Sequence, residues 1–167
     1  KGTLWAAKAM AGIQKLFCGS GHVSRSIDKL AFGAYNKKIT DSKTACDWLS
    51  RDGSRVERYI ADPLCGFTFT VNGFATLFEL ISRLYKKENL SHIPKTLPIL
   101  MVSGDADPVG DYGRGVRRAY DSLKEAGLEN MELKLYEGGR HELLNETNRR
   151  EVMEDIYGWT ESVILRK

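Results

Sequence analysis

A lone histidine, His141, follows a strand-like run and a double-glycine turn in YEGGRHELLNE (residues 136–146). Two aspartates, Asp105 and Asp107, follow a second such run in SGDADPVGDYG (residues 103–113). If the two runs are neighbouring parallel strands, these side chains leave the sheet at one edge, where open α/β sheets place their functional groups. A carboxylate there that accepts the imidazole Nδ1 proton fixes the tautomer and leaves Nε2 free to act as a base. Either aspartate fits this reading. Asp105 lies nearer the glycine turn, whereas Asp107 precedes Pro108, whose fixed φ holds the preceding carboxylate at the loop tip. A loop aspartate alone is as well explained as a helix cap, and a lone loop histidine is most often a polar surface group. The pairing favours chemistry.

Other chemistries fit less well. HELLN (residues 141–145) approaches the zinc-binding HExxH pattern, but position 145 is asparagine, so the second imidazole is missing and no metal is expected. His22 and His92 have no carboxylate or cysteine at ligand spacing. GRG (113–115) and GSG (19–21) lack the spacing of phosphate-binding loops. Ser20 sits between glycines in CGSGH, yet a nucleophile elbow needs GxSxG after a strand, and here a helical pattern precedes the serine. Ser20 therefore reads as a loop residue, and these residues hold no nucleophile for His141.

The elements that must position the pair are legible in the last 70 or so residues. LPILMVS (97–103) is a short apolar run ended by Gly104, suited to a buried parallel strand. Val116, Ala119, Tyr120 and Leu123 then recur at helical spacing, with Gly127 where a C-terminal glycine belongs. MELKLYE alternates as a second strand. A last helix starts near Asn148, with Glu151 three residues on, and carries Val152, Ile156, Trp159 and Val163 on one face. The order β, α, β, α implies an α/β fold with a parallel sheet. Two strands leave that sheet incomplete, and open edges predict self-association. The first 95 residues read as helices over 5–17, 26–35 and 71–87, joined by stretches such as DWLSRDGSRVERYIADP (47–63) that mix short helical turns with irregular chain. Phe74, Leu77, Phe78, Ile81 and Leu84 share one face of the third, with Thr70 as its N-cap. HIPKTLP (92–98) marks the boundary.

Composition bounds the rest. The 167 residues suit one domain, with Lys and Arg (25) scattered among Asp and Glu (22) for a net charge of +3, so no nucleic-acid partner is expected. Cys18, Cys46 and Cys65 form no CxxC pair and suit free thiols in a reducing, cytoplasmic compartment. No leader pattern or long apolar run calls for membrane insertion.

Taken together, PILMVSGDADPVG with its following helix, LKLYEGGRHELLNE with its closing helix, and the phrases FGAYNKKI, DWLSRD and YIADPLCGFTFT resemble an α/β-hydrolase of the lysophospholipase and monoacylglycerol lipase type, also labelled serine aminopeptidase-like. The resemblance covers essentially the whole chain. It implies the C-terminal part of such a fold: residues 1–21 as a helix joining core to cap, 22–93 as a helical cap, and 94–167 as the last two parallel strands with their helices. It maps the family's acid to Asp107 and its base to His141, and implies a small acyl ester or lipid as substrate, with no cofactor. Phe67, Phe69, Phe74 and Phe78 would then line an acyl cleft, or else pack the cap's own core. The family's oxyanion segment and GxSxG elbow do not occur in these residues, so the resemblance implies a parent serine hydrolase whose nucleophile lies elsewhere, and no activity for this stretch alone. The contrasting expectation is a non-catalytic module that binds a lipid or a partner.

Overall fold

The computed structural model describes residues 2–84 and 86–165. Lys1, Arg166, Lys167 and Tyr85, the last of which the sequence reading placed in the helix over 71–87, lie outside the described residues. Along the chain run α1 (Gly2–Cys18), α2 (Arg25–Phe32), α3 (Gly53–Ala61), α4 (Val71–Leu84), α5 (Lys87–Ser91), β1 (Ile99–Gly104), α6 (Arg114–Glu125), β2 (Met131–Tyr136) and α7 (Arg149–Leu165). Short 3-10 turns occur at Tyr35–Lys38, Asp47–Leu49 and Leu143–Asn145. The helices and strands form two compact units, residues 1–34 with 63–92, and residues 35–62 with 93–167.

The second unit is built on the parallel pairing of β1 with β2, in register from Ile99 opposite Met131 to Gly104 opposite Tyr136. Parallel strands need a crossover, and α6 supplies it. Val116, Ala119, Tyr120 and Leu123 are half-buried on one face of α6, while Arg114, Arg117, Arg118 and Asp121 are exposed. After α6 the chain turns at Gly127, whose φ of +93° is open to glycine at little cost. Leu128, 2% exposed, follows it inward. Helix α7 lies against β2 and the turn at 143–145 through a core of Tyr136, Leu143 and Val152, with Val102 and Ile156 packed against it. The Tyr136 hydroxyl donates to Asp155 Oδ2 at 2.9 Å, and Lys134 also bonds Asp155, so polar bonds tie strand to helix at the rim.

Because β1 and β2 run parallel and in register, the loops after them leave the same edge. Gly104 makes that convergence close: a Cβ there would lie 1.8 Å from the Gly139 carbonyl oxygen. Only a residue without a side chain lets the two loop backbones approach so nearly.

The helical unit packs α1 and α2 against α4. Its core is Ala7, Ala11, Ile27, Phe74 and Phe78, with Leu4, Met10, Phe32 and Ala75 around it. Phe74 and Phe78, one turn apart, stack with ring centroids 6.0 Å apart. The small alanines of α1 give these rings room. Ser24 caps α2 by accepting from the Ile27 N–H at 3.2 Å, and Thr70 Oγ1 accepts from the Gly73 N–H at 3.2 Å at the start of α4. Leu84 ends α4 at 57% exposure, off the inward face. No helix among the described residues is long and apolar enough to cross a membrane.

Candidate active site

The loop after β1 is locked by main-chain bonds before it offers any side chain. Asp105 N–H donates to Tyr136 O at 3.0 Å and Ala106 N–H to Gly139 O at 3.0 Å, so the loop is stitched to the one after β2. Asp105 turns its carboxylate to that neighbouring loop, where Oδ1 accepts from the Gly138 N–H at 2.7 Å. Asp107 points the other way. Its Oδ1 accepts from the Val109 N–H at 2.8 Å, and its Oδ2 meets His141 Nδ1 at 3.1 Å. The two aspartates, equivalent as residues in the sequence, are thus divided between a turn and the imidazole. Beyond Pro108, Asp111 and Tyr112 adopt positive φ of 52° and 56°, conformations unusual outside glycine and common where a site over-determines its backbone. Tyr112 N–H donates to Asp107 O at 2.8 Å, so this irregular segment closes around the carboxylate's own residue.

Asp107 is buried, with its side chain 8% exposed, and His141 is open to solvent on one side, with its side chain 39% exposed. A carboxylate only accepts, so in neutral His141 the Nδ1 facing Asp107 carries the proton and Nε2 is the basic nitrogen. The Asp107 hydrogen bond lifts the imidazole above its ordinary titration range; partial burial pulls it down, and the charges of Asp107 and Glu142 push it up. This is an imidazole whose cation is stabilised by a buried carboxylate, on a side chain that keeps part of its surface open to solvent.

The loop carrying His141 is held by the segment 47–52. His141 N–H donates to Trp48 O at 3.3 Å and Glu142 N–H to Leu49 O at 2.7 Å. The Arg140 guanidinium donates to Asp47 O at 2.7 Å and Ser50 O at 3.0 Å, and Ser50 Oγ donates to Asn145 O at 2.9 Å. At the centre is Glu146, fully buried. Its Oε2 accepts from Arg51 Nε at 2.8 Å and from Thr147 N–H at 3.0 Å; its Oε1 accepts from Arg140 N–H at 2.9 Å and Arg51 N–H at 3.1 Å. Burial alone would push this carboxyl up, but the hydrogen bonds from Arg51, Arg140 and Thr147 outweigh it and hold it below its usual range. Arg149 adds an ion pair to Asp52 at 3.1 Å. The rings meet as well: the Trp48 ring centroid lies 5.2 Å from that of His141, tilted by 44°, and Tyr35 sits edge-on against Trp48 at 4.9 Å.

Trp48, Arg51, Arg140 and Glu146 were not singled out from the sequence. Their signal is long-range: Arg51 and Glu146 are 95 positions apart, and no local periodicity pairs them. The one hint is DWLSRD itself, a polar stretch rich in donors and acceptors with a tryptophan inside it.

The four phenylalanines belong to the helical unit. Phe67 and Phe69, 62% and 38% exposed, meet edge-on at 5.6 Å and keep part of their surface open. Phe74 and Phe78 are inside the core, and Phe74 backs Phe69 at 5.5 Å. A cavity of about 420 Å³ under α7, lined by Val102, Lys134, Asp155 and Trp159 among others, includes neither Asp107 nor His141.

This arrangement agrees with what the chain is similar to. A family model described as serine aminopeptidase, S33, matches residues 3–148, a span that includes the loops of Asp107 and His141. Among curated proteins, a monoglyceride lipase homolog of Monkeypox virus is 30% identical over 130 residues, covering 76% of this chain and 44% of the relative. A monoacylglycerol lipase of Mycolicibacterium smegmatis is 29% identical over 137 residues, covering 82% of this chain and 45% of the relative. Among solved structures, the highly thermostable carboxyl esterase from Bacillus coagulans superposes with a TM-score of 0.82 at 28% identity, covering 95% of this chain and 53% of the esterase. The chain thus spans about half the length of the proteins it matches. Since the family match runs over most of the chain and the superposition carries the β-α-β-α order with it, the chain belongs to the serine aminopeptidase S33 family and has part of its α/β-hydrolase fold.

Proposed function

We propose that this chain supplies the acid and base of a serine hydrolase of carboxylic esters, with a monoacylglycerol or lysophospholipid as the substrate class. The observation that carries the reading is the 3.1 Å contact of Asp107 Oδ2 with His141 Nδ1, at the ends of adjacent parallel strands. In the reaction, Nε2 of His141 takes the proton of a serine hydroxyl as it attacks the ester carbonyl, then returns it to the departing alkoxide. Asp107 holds the imidazole in the tautomer that keeps Nε2 basic and stabilises the imidazolium between the two transfers. No GxSxG occurs in the 167 residues, and in this fold the order is serine, acid, base. The nucleophile is therefore assigned to residues outside this chain, and the chain alone is expected to hydrolyse nothing by a triad. The names of the relatives support a glycerol monoester over a peptide.

The experiment uses the protein extended upstream to include a GxSxG serine, assayed with monoacylglycerol and lysophospholipid. Activity should fall by about 10⁴-fold or more in His141→Ala and by about 10⁴-fold in Asp107→Asn, as for other triads. A serine-directed fluorophosphonate should label the extended protein. Full activity in His141→Ala, or no labelling and no hydrolysis at all, would sink the reading, the latter in favour of a binding module.

A further inference from the structure

Asp107 holds the imidazole at one atom only. A ring bonded at Nδ1 can still swing about that bond, and a base must present Nε2 in one direction to a reacting hydroxyl. Trp48 meets His141 twice, once through its carbonyl, which accepts the His141 N–H, and once through its indole, 5.2 Å from the imidazole centroid. The main chain that carries the indole is itself fixed. The Trp48 backbone N–H donates to Asn36 Oδ1 at 2.9 Å, and Asn36 Nδ2 donates to Thr44 O at 2.6 Å. The adjacent Asp47 is buried and accepts from the Lys43 and Thr44 N–H groups and the Thr44 hydroxyl. Tyr35 packs edge-on against the indole, with ring centroids 4.9 Å apart. On the other flank, the Arg51 pair with buried Glu146 and the Arg140 bonds to Asp47 O and Ser50 O set the register of the Trp48 segment on the histidine loop.

We propose that Trp48 is the positioning residue of His141: its indole limits the swing of the imidazole against Asp107, and its π face stabilises the imidazolium. This rests on the base role given to His141 above. An aromatic face within about 6 Å of a cation attracts it, and the attraction grows where water is partly excluded. The groups facing His141 are Asp107 from the β1 loop and Glu142 from its own loop, both negative; Tyr35, near Asp107, is pushed above its usual range by burial and by that charge, so it stays neutral where His141 titrates. The indole, like Tyr35, is neutral, and its replacement changes no charge.

The test has a spectroscopic arm that needs no substrate. In a Trp5→Phe, Trp159→Phe background Trp48 is the sole indole, since the chain has three tryptophans. Its fluorescence should drop in one step as His141 becomes cationic, at the midpoint that NMR gives for the His141 ring, and the step should vanish in His141→Gln. Trp48→Leu should lower the NMR midpoint by about half a unit. Trp48→Phe, which keeps a π face and a foldable core, should restore most of that shift. In the extended protein, Trp48→Leu should reduce kcat about 10-fold or more with KM within about two-fold, and Trp48→Phe should recover it. A fluorescence step that survives His141→Gln, or an unchanged midpoint and kcat in Trp48→Leu, overturns the proposal. If hydrolysis is absent while the step and the midpoint shift hold, the ester-hydrolase reading fails and the positioning contact stands.

Discussion

The histidine loop and the helical unit are held together by opposite means. Around His141 the chain spends buried charge and directional bonds: Glu146, fully buried, collects four N–H donors from three residues, and Arg140 spans two carbonyls. The helical unit is centred on two alanines, an isoleucine and two stacked phenylalanines, and its side-chain bonds, such as Lys8 to Glu79 at 2.7 Å and Ser24 to Gln14 at 2.6 Å, surround that apolar core without a buried carboxylate at its centre. Apolar packing is nondirectional and tolerates small shifts. A hydrogen-bonded carboxylate does not: it is satisfied in one arrangement and costly in others. The fold thus fixes position at the turn from which the imidazole projects, while leaving Trp5, Leu16 and Phe17 on α1 74–84% exposed.

The largest effect expected is from Glu146→Ala, which leaves Arg51 Nε and the main-chain N–H groups of Arg51, Arg140 and Thr147 without their acceptor. Loss of about 3–5 kcal/mol in urea unfolding is expected, and the His141 ring signal should broaden or shift. Phe74→Ala should cost about 3 kcal/mol by opening a cavity in the small helical core, yet leave the His141 midpoint in place. Should Phe74→Ala move that midpoint as far as Glu146→Ala does, the contrast between directional and apolar support collapses. Ser24→Ala removes one cap and should cost about 1 kcal/mol, read from the same unfolding curves.

The smallest effects are in pH, and they have opposite signs. Glu146 is held below its ordinary range, so its stabilisation is present above about pH 4.5 and is lost as pH falls through the lower folded value. His141 is raised, so its stabilisation is complete below about pH 6.5 and is lost as pH rises through the higher folded value. Unfolding midpoints in Glu146→Gln and His141→Gln should each flatten one limb of the stability profile and leave the other unchanged.

The β-α-β-α order, and with it the shared sheet edge, was legible because period-2 and helical patterns are local and Gly104 and Gly127 punctuate them. Strand β1 begins at Ile99 rather than Leu97, and α6 at Arg114, one residue after Gly113. The residues that could meet at the edge were legible too, though the residues alone left Asp105 and Asp107 equivalent; what separates them is which way each carboxylate leaves the loop. The segment 47–62 read as short helical turns and irregular chain, but holds a nine-residue helix, α3, capped by the Asp52 side chain on the Ser54 N–H at 3.1 Å. Its grouping with the strands, not with the helices that flank it in sequence, depends on partners some 90 positions away, such as Asp47 O and Arg140. Polar pairs of that range leave no periodic trace.

Asp107 holds His141 with Nδ1 protonated and Nε2 free, and ¹⁵N NMR of the His141 ring across pH, in the chain as it stands and in Asp107→Asn, reads that arrangement out. The expected result is a midpoint above about 6.5 with the neutral ring protonated at Nδ1, and in Asp107→Asn a lower midpoint with the tautomer no longer fixed. An unchanged midpoint and tautomer in Asp107→Asn would contradict it.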